Sequence, residues 1–250
     1  MGRAHFSQQG FVVIQPTHLD SKTLPFRDSA QPGAPLFWQS RAADFHRLLD
    51  QLSTITAALP GLLGRVDLTQ VAILGHSLGG HTASLMLGAS HKPSVETPAF
   101  TALDPRIKAG VLLAAPGRGA ALTPEAAQRY PFFTTVDFTT LTSPTLVVYG
   151  DEDDPHHLST AGPTWFADPF HLAPGANALV TVFGGGHGLG GVAGYDLAET
   201  TDEHPTRVAT VLQLGVAYLK TQLNPADSSW HHAIEALTHA EAPLARVTTK

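Results

Sequence analysis

The stretch VAILGHSLGGH, Val71 to His81, decides how the rest of this sequence is read. An aliphatic run, VAILG, feeds directly into His76-Ser77-Leu78-Gly79, and an alanine- and leucine-containing segment, LGGHTASLMLG, follows. Strand, tight turn and helix in that order are the context in which Gly-x-Ser-x-Gly places a serine hydroxyl on a sharp, strained bend. Close passage of neighbouring chain predicts that Gly75 and Gly79 must lack side chains. The helix start supplies unpaired N–H groups and partial positive charge beside the serine, which makes the Leu78 N–H the candidate oxyanion donor. A phosphate-holding loop would carry a lysine after the glycines, and His81 stands there instead.

Outward from this turn, four more runs read as strands buried on both faces: FVVIQP (11–16), AGVLLAAP (109–116), PTLVVYG (144–150) and ALVTVFGG (178–185). Between them, segment 41–59 spaces Phe45, Leu48, Leu49, Leu52, Ile55 and Leu59 three and four apart, an apolar helical stripe. Segment 206–223 repeats the pattern after an acidic start and Pro205. Strands alternating with helices predict an α/β fold, a mostly parallel sheet with helices on both faces and reactive residues at the carboxyl ends of the strands. Residues 1–223 read as a single domain. Residues 224–250 read as a loop, a short helix and a loose tail on the same domain. The stretches 22–40, 89–104 and 117–143 read as insertions above the sheet.

Composition narrows the function. The chain of 250 residues is 43% hydrophobic and 14% charged, ample for a buried core, and its net charge of −6 offers no footprint for nucleic acid. It contains no cysteine, so disulfides, thiolate metal sites and thiol catalysis are excluded. No apolar run reaches the ~18 residues of a membrane span or the form of a signal peptide, so the expected location is cytoplasmic.

A serine nucleophile needs a histidine to take its proton and a carboxylate to orient that histidine. After TLVVYG comes DEDDP, where Asp153 is the chosen acid, with Asp151 and Asp154 as alternatives. After the last apolar run, FGGGHGLGG carries His187, in a loop so rich in glycine that its ring could approach Ser77 closely. His76 and His81 flank the serine in sequence and are read as pocket or turn residues, with His76 assigned to substrate binding. His18 is an outer candidate for pocket lining, and His156 and His157 read as surface. No paired His and Glu motif indicates a metal, and no cofactor is called for. Tyr130, Phe132, Phe133 and Phe138 offer an apolar pocket, with Phe132 and Phe133 assigned to substrate contact; core packing is the competing reading.

The blocks GFVVIQPTHLDS, GHSLGGHTA, DPRIKAGVLLAAPGRG, VVYGDEDDP and FGGGHGLGGVAGYDLAETTDE resemble, over nearly the whole chain, the α/β-hydrolase superfamily. Within it they are similar to bacterial chlorophyllase-like enzymes, relatives of platelet-activating-factor acetylhydrolases and dienelactone hydrolases. The resemblance implies Ser77 as nucleophile, Asp153 as acid and His187 as base of a carboxylic ester hydrolase acting on small or lipophilic esters. It also implies an N-terminally truncated chain, because the family's first strands and a His-Gly loop that donates a second oxyanion N–H are missing. Loss of one such donor typically costs ~10²–10³ in turnover. A weakly active or inactive binding protein, self-associating through an exposed sheet edge, is the alternative expectation.

Overall fold

The computed structural model describes residues 2–26, 29–31, 33–34, 36–94, 96–193 and 202–250. The helices are α1 (Gly2–Gln8), α2 (Trp38–Asp50), α3 (Leu52–Ala58), α4 (Leu78–Met86), α5 (Pro124–Arg129), α6 (Asp168–Leu172), α7 (Pro205–Leu223) and α8 (Ser229–Thr238). The strands are β1 (Val71–His76), β2 (Ser90–His91), β3 (Phe100–Thr101), β4 (Ile107–Leu113), β5 (Val136–Asp137), β6 (Thr145–Gly150), β7 (Ala176–Val182) and β8 (Ala245–Thr249). A five-stranded sheet runs in the order β1-β4-β6-β7-β8, parallel from β1 to β7 and closed by antiparallel β8. The short strands β3-β2-β5 form a separate antiparallel ribbon within the segments read as insertions.

The central strands are apolar on both faces because both faces are covered. Leu112, Val147, Tyr149 and Leu179 point toward α2, α4 and α6, joining Leu49, Leu85, Met86 and Phe170. Val111, Leu113, Val148 and Val180 point the other way, joining Phe6 of α1 and Val208, Val211 and Leu212 of α7. Burying a side chain of this size is worth about 1.5–3 kcal/mol, so these two layers supply most of the drive to fold. Among the described residues, no helix is long and apolar enough to cross a membrane.

Four expectations change. FVVIQP is not a strand: residues 11–18 have no regular structure, and Val12, Val13 and Ile14 are 42%, 37% and 36% exposed. A strand exists only where a neighbour completes its ladder. Among the described residues β1 pairs with β4 alone, and residues 11–16 form no strand of the sheet. Phe11 packs against the α7 layer, while His18 bonds Asp44 on α2, so the segment runs from one face of the sheet to the other. The helix expected over 41–59 breaks at Gln51 into α2 and α3. The strands expected at 109–116 and 178–185 begin two residues earlier and end at Leu113 and Val182, before the loops that carry polar chemistry. The tail is not loose, because β8 pairs with β7 and buries Ala245.

Candidate active site

Ser77 stands between β1 and α4 with φ 53° and ψ −121°, a conformation that L-residues avoid and that stores about 1–3 kcal/mol. The surroundings impose it. The Ser77 N–H donates to the Leu113 carbonyl of β4 at 2.9 Å, and the Ser77 carbonyl accepts from the His81 N–H at 3.1 Å. A Cβ at Gly75 would stand 2.0 Å from the Gly79 carbonyl oxygen, so glycine is obligatory there. At Gly79 a Cβ would meet only the tip of Arg41 at 3.9 Å, contrary to the sequence expectation. The second position without room is Gly80, where a Cβ would lie 2.7 Å from that of Ala115. Leu78 opens α4, and its N–H is among the first-turn donors that the helix itself leaves unpaired.

His187 arrives from the loop after β7. Its Nε2 lies 2.9 Å from Ser77 Oγ, and its Nδ1 lies 2.9 Å from Asp153 Oδ2. A carboxylate only accepts, so Nδ1 carries the proton and Nε2 presents its lone pair to the serine hydroxyl. The His187 side chain is 37% exposed while that of Asp153 is 3% exposed, which leaves the imidazole reachable and the carboxylate behind it shielded. Within DEDDP the three aspartates make different contacts, and Asp153 is the one bonded to His187. Asp151 accepts from the Gly184 N–H at 2.7 Å, and Asp154 bonds the exposed His156. Gly150 lets the two loops meet, because a Cβ there would stand 2.0 Å from the Gly185 carbonyl oxygen.

The loop bearing His187 is fixed by a residue that the sequence did not single out. One oxygen of Asp202, Oδ2, accepts from the Gly186 N–H at 2.9 Å and the Gly190 N–H at 2.8 Å. Arg207 of α7 donates to the carbonyls of Phe183 and Asp202, closing the far side. The only sequence signal was an acidic residue just before a helix start. Within the resembling block, residues 194–201 lie outside the described residues.

The other residues expected at the site make contacts of their own. His76 Nε2 donates to the His187 carbonyl at 2.7 Å. His18 pairs with Asp44 against the Phe45 ring. Phe132 and Phe133 pack with His81, and Phe132 also stacks on Trp38. Phe133 is buried, and Phe132 lines a cavity of about 420 Å³ with Trp38, His91 and Phe100; neither Ser77 nor His187 is among its walls. Phe138 is core.

Beneath those rings lies a buried histidine pair with Nε2 atoms 2.9 Å apart. The Thr135 hydroxyl donates to the Phe132 carbonyl and so accepts from His91 Nδ1–H. That leaves His91 Nε2 as the acceptor and His81 Nε2–H as the donor, with both rings neutral. Burial pushes His91 down to about 4, and burial, then His91 and Arg41, hold His81 well below the usual imidazole range. Folded-state values below the unfolded one mean that the unfolded chain binds more protons. Stability is therefore lost as pH falls through the unfolded value of about 6.5 toward 4. The pair is therefore expected to make the protein less stable at pH 5 than at pH 8. Urea unfolding at both pH values checks this, and the double variant His81→Phe/His91→Leu should show a markedly flatter dependence than the parent.

A mostly parallel sheet with helices on both faces carries the Gly-x-Ser-x-Gly turn after β1, and Asp153 and His187 follow β6 and β7. The fold is that of the α/β hydrolases. No protein-family model and no curated protein sequence matches the chain. Among solved structures, the chain is similar to a truncated carbohydrate esterase from gut microbiota, with a TM-score of 0.48 and 17% identity over 74% of this chain and 70% of that one. It is also similar to an α/β-hydrolase enzyme from a Medee basin deep-sea metagenome library, with a TM-score of 0.43 and 17% identity over 80% and 69% of the two chains. Among the described residues, no group of three or more His, Cys, Asp or Glu side chains could hold a metal ion.

Proposed function

We propose that the protein is a serine hydrolase of carboxylic esters, acting through Ser77, His187 and Asp153. The observation that carries this reading is the unbroken hydrogen-bonded line from Asp153 through His187 to Ser77, with the serine held at a positive φ. His187 Nε2 takes the Ser77 proton as Oγ attacks the ester carbonyl, and the developing oxyanion accepts from the Leu78 N–H. The protonated His187, steadied by Asp153, returns the proton to the departing alkoxide. Water, deprotonated by His187, then attacks the acyl-enzyme and releases the acid. No step calls for a cofactor.

Small or lipophilic esters are the substrate class we assign; Phe166, buried in the core, packs against the His187 ring at 5.5 Å between centroids and helps to fix it. Turnover of p-nitrophenyl acetate and butyrate tests the reading, with a burst of one p-nitrophenolate per chain as the mark of the acyl-enzyme. No hydrolysis by folded protein would contradict it. The competing reading, a hydrolase-like chain that binds or self-associates, draws on the edge of β1 that no strand among the described residues covers and on Leu74, 39% exposed upon it. It would be favoured by absent turnover together with a mass that rises with concentration.

The Asp202 clamp has a kinetic consequence. Asp202→Ala frees the Gly186 and Gly190 amides and loosens the loop that places the imidazole. A misplacement near 1 Å costs up to about 10²-fold, so turnover of p-nitrophenyl butyrate should fall by about 10- to 10²-fold with KM little changed.

A further inference from the structure

We propose that His76 is a positioning residue that ties the serine elbow to the backbone of the base; this role rests on the reading of Ser77 and His187 above. His76 is the last residue of β1 and immediately precedes Ser77. Its Nε2 lies 2.7 Å from the His187 carbonyl oxygen, 111 residues further along the chain. A carbonyl can only accept, so Nε2 carries a proton in both the neutral and the cationic imidazole, and the contact survives a change of protonation. The two imidazoles also lie 5.0 Å apart between centroids at 49°.

His187 is thereby held from three sides. Asp202 fixes the amides on either side of it, Gly186 and Gly190, and Asp153 orients the ring through Nδ1. His76 holds the remaining handle, the residue's own carbonyl. Because His76 and Ser77 are consecutive, a movement of the elbow carries the anchor of the base with it. The 2.9 Å separation between Ser77 Oγ and His187 Nε2 is thus kept by a bond between neighbours of both atoms. This differs from the substrate contact expected of His76 from sequence. A substrate contact would change KM and acyl-chain preference, whereas an anchor of the base changes kcat for every substrate alike.

The test uses the full chain with p-nitrophenyl acetate and butyrate, a fluorophosphonate as covalent probe of Ser77, and thermal melting of each variant. His76→Phe keeps a ring against His187 but cannot donate. It should lower kcat by about 10²-fold for both esters and slow the labelling alike, with KM within about twofold of the parent. His76→Gln, whose amide nitrogen reaches as far as Nε2, should restore most of that loss. Should the phenylalanine variant fail to melt cooperatively, His76→Asn replaces it, since its shorter amide stops short of the carbonyl and the same loss is expected. Parent-like kcat in the non-donating variant, a change confined to KM or to one ester, or no rescue by glutamine would each overturn the anchor role while leaving Ser77 as nucleophile. A parent protein that melts cooperatively yet is never labelled would overturn the reading of Ser77 and this role with it.

Discussion

Ser77→Ala is expected to lower the turnover of p-nitrophenyl butyrate by at least about 10⁴-fold while the protein remains folded. The substitution removes one oxygen and with it the proposed nucleophile. It leaves Asp153 and His187 bonded to each other at 2.9 Å and the Leu78 N–H still at the start of α4. Any residual rate then comes from the oxyanion donor and from bound geometry alone. Alanine also inherits the φ of 53°, so the backbone strain persists and no large gain in stability should accompany the loss of activity. Turnover within tenfold of the parent would remove Ser77 from the reaction.

Asp153→Asn is expected to cost about 10⁴-fold in kcat. The carboxylate accepts the proton of His187 Nδ1, which leaves Nε2 free to accept from Ser77. An amide in its place turns an N–H toward Nδ1, favours the opposite tautomer and puts a proton on the nitrogen that must take one. The neighbouring acids serve as controls within the same turn. Asp151 supports the Gly184 amide, and Asp154 is exposed beside His156, so asparagine at either position should change kcat by no more than about tenfold. Equal losses at Asp153 and Asp154 would show the acidic turn to be acting as a diffuse charge rather than through one oriented oxygen.

The parts of this molecule that were legible in the sequence are those whose causes are local. VAILG, TLVVYG and ALVTV announce strands because β-branched and aliphatic residues covered on both faces leave no polar side. That Ser77, Asp153 and His187 come together was legible because each follows such a strand at its carboxyl end and each has a side chain that can hydrogen-bond the next. What failed depends on neighbours. FVVIQP has the composition of a strand, yet residues 11–16 have no partner in the sheet, and composition cannot supply a ladder.

The glycines show the same limit. Gly75 is demanded by backbone 2.0 Å away, but the helix turns so that Gly80, not Gly79, faces Ala115. Phe132 and Phe133 were equally plausible as pocket or packing residues, and only the positions of Trp38, His81 and His91 separate the two. Asp202 and His76 act on backbone amides and a carbonyl, partners that no side-chain pattern reveals.

The most direct measurement of the central claim is reaction of the folded protein with a fluorophosphonate, followed by intact mass and peptide mapping. One adduct per chain, on Ser77, is the predicted result. Cooperatively folded protein that gains no mass, or an adduct on any other residue, would contradict it.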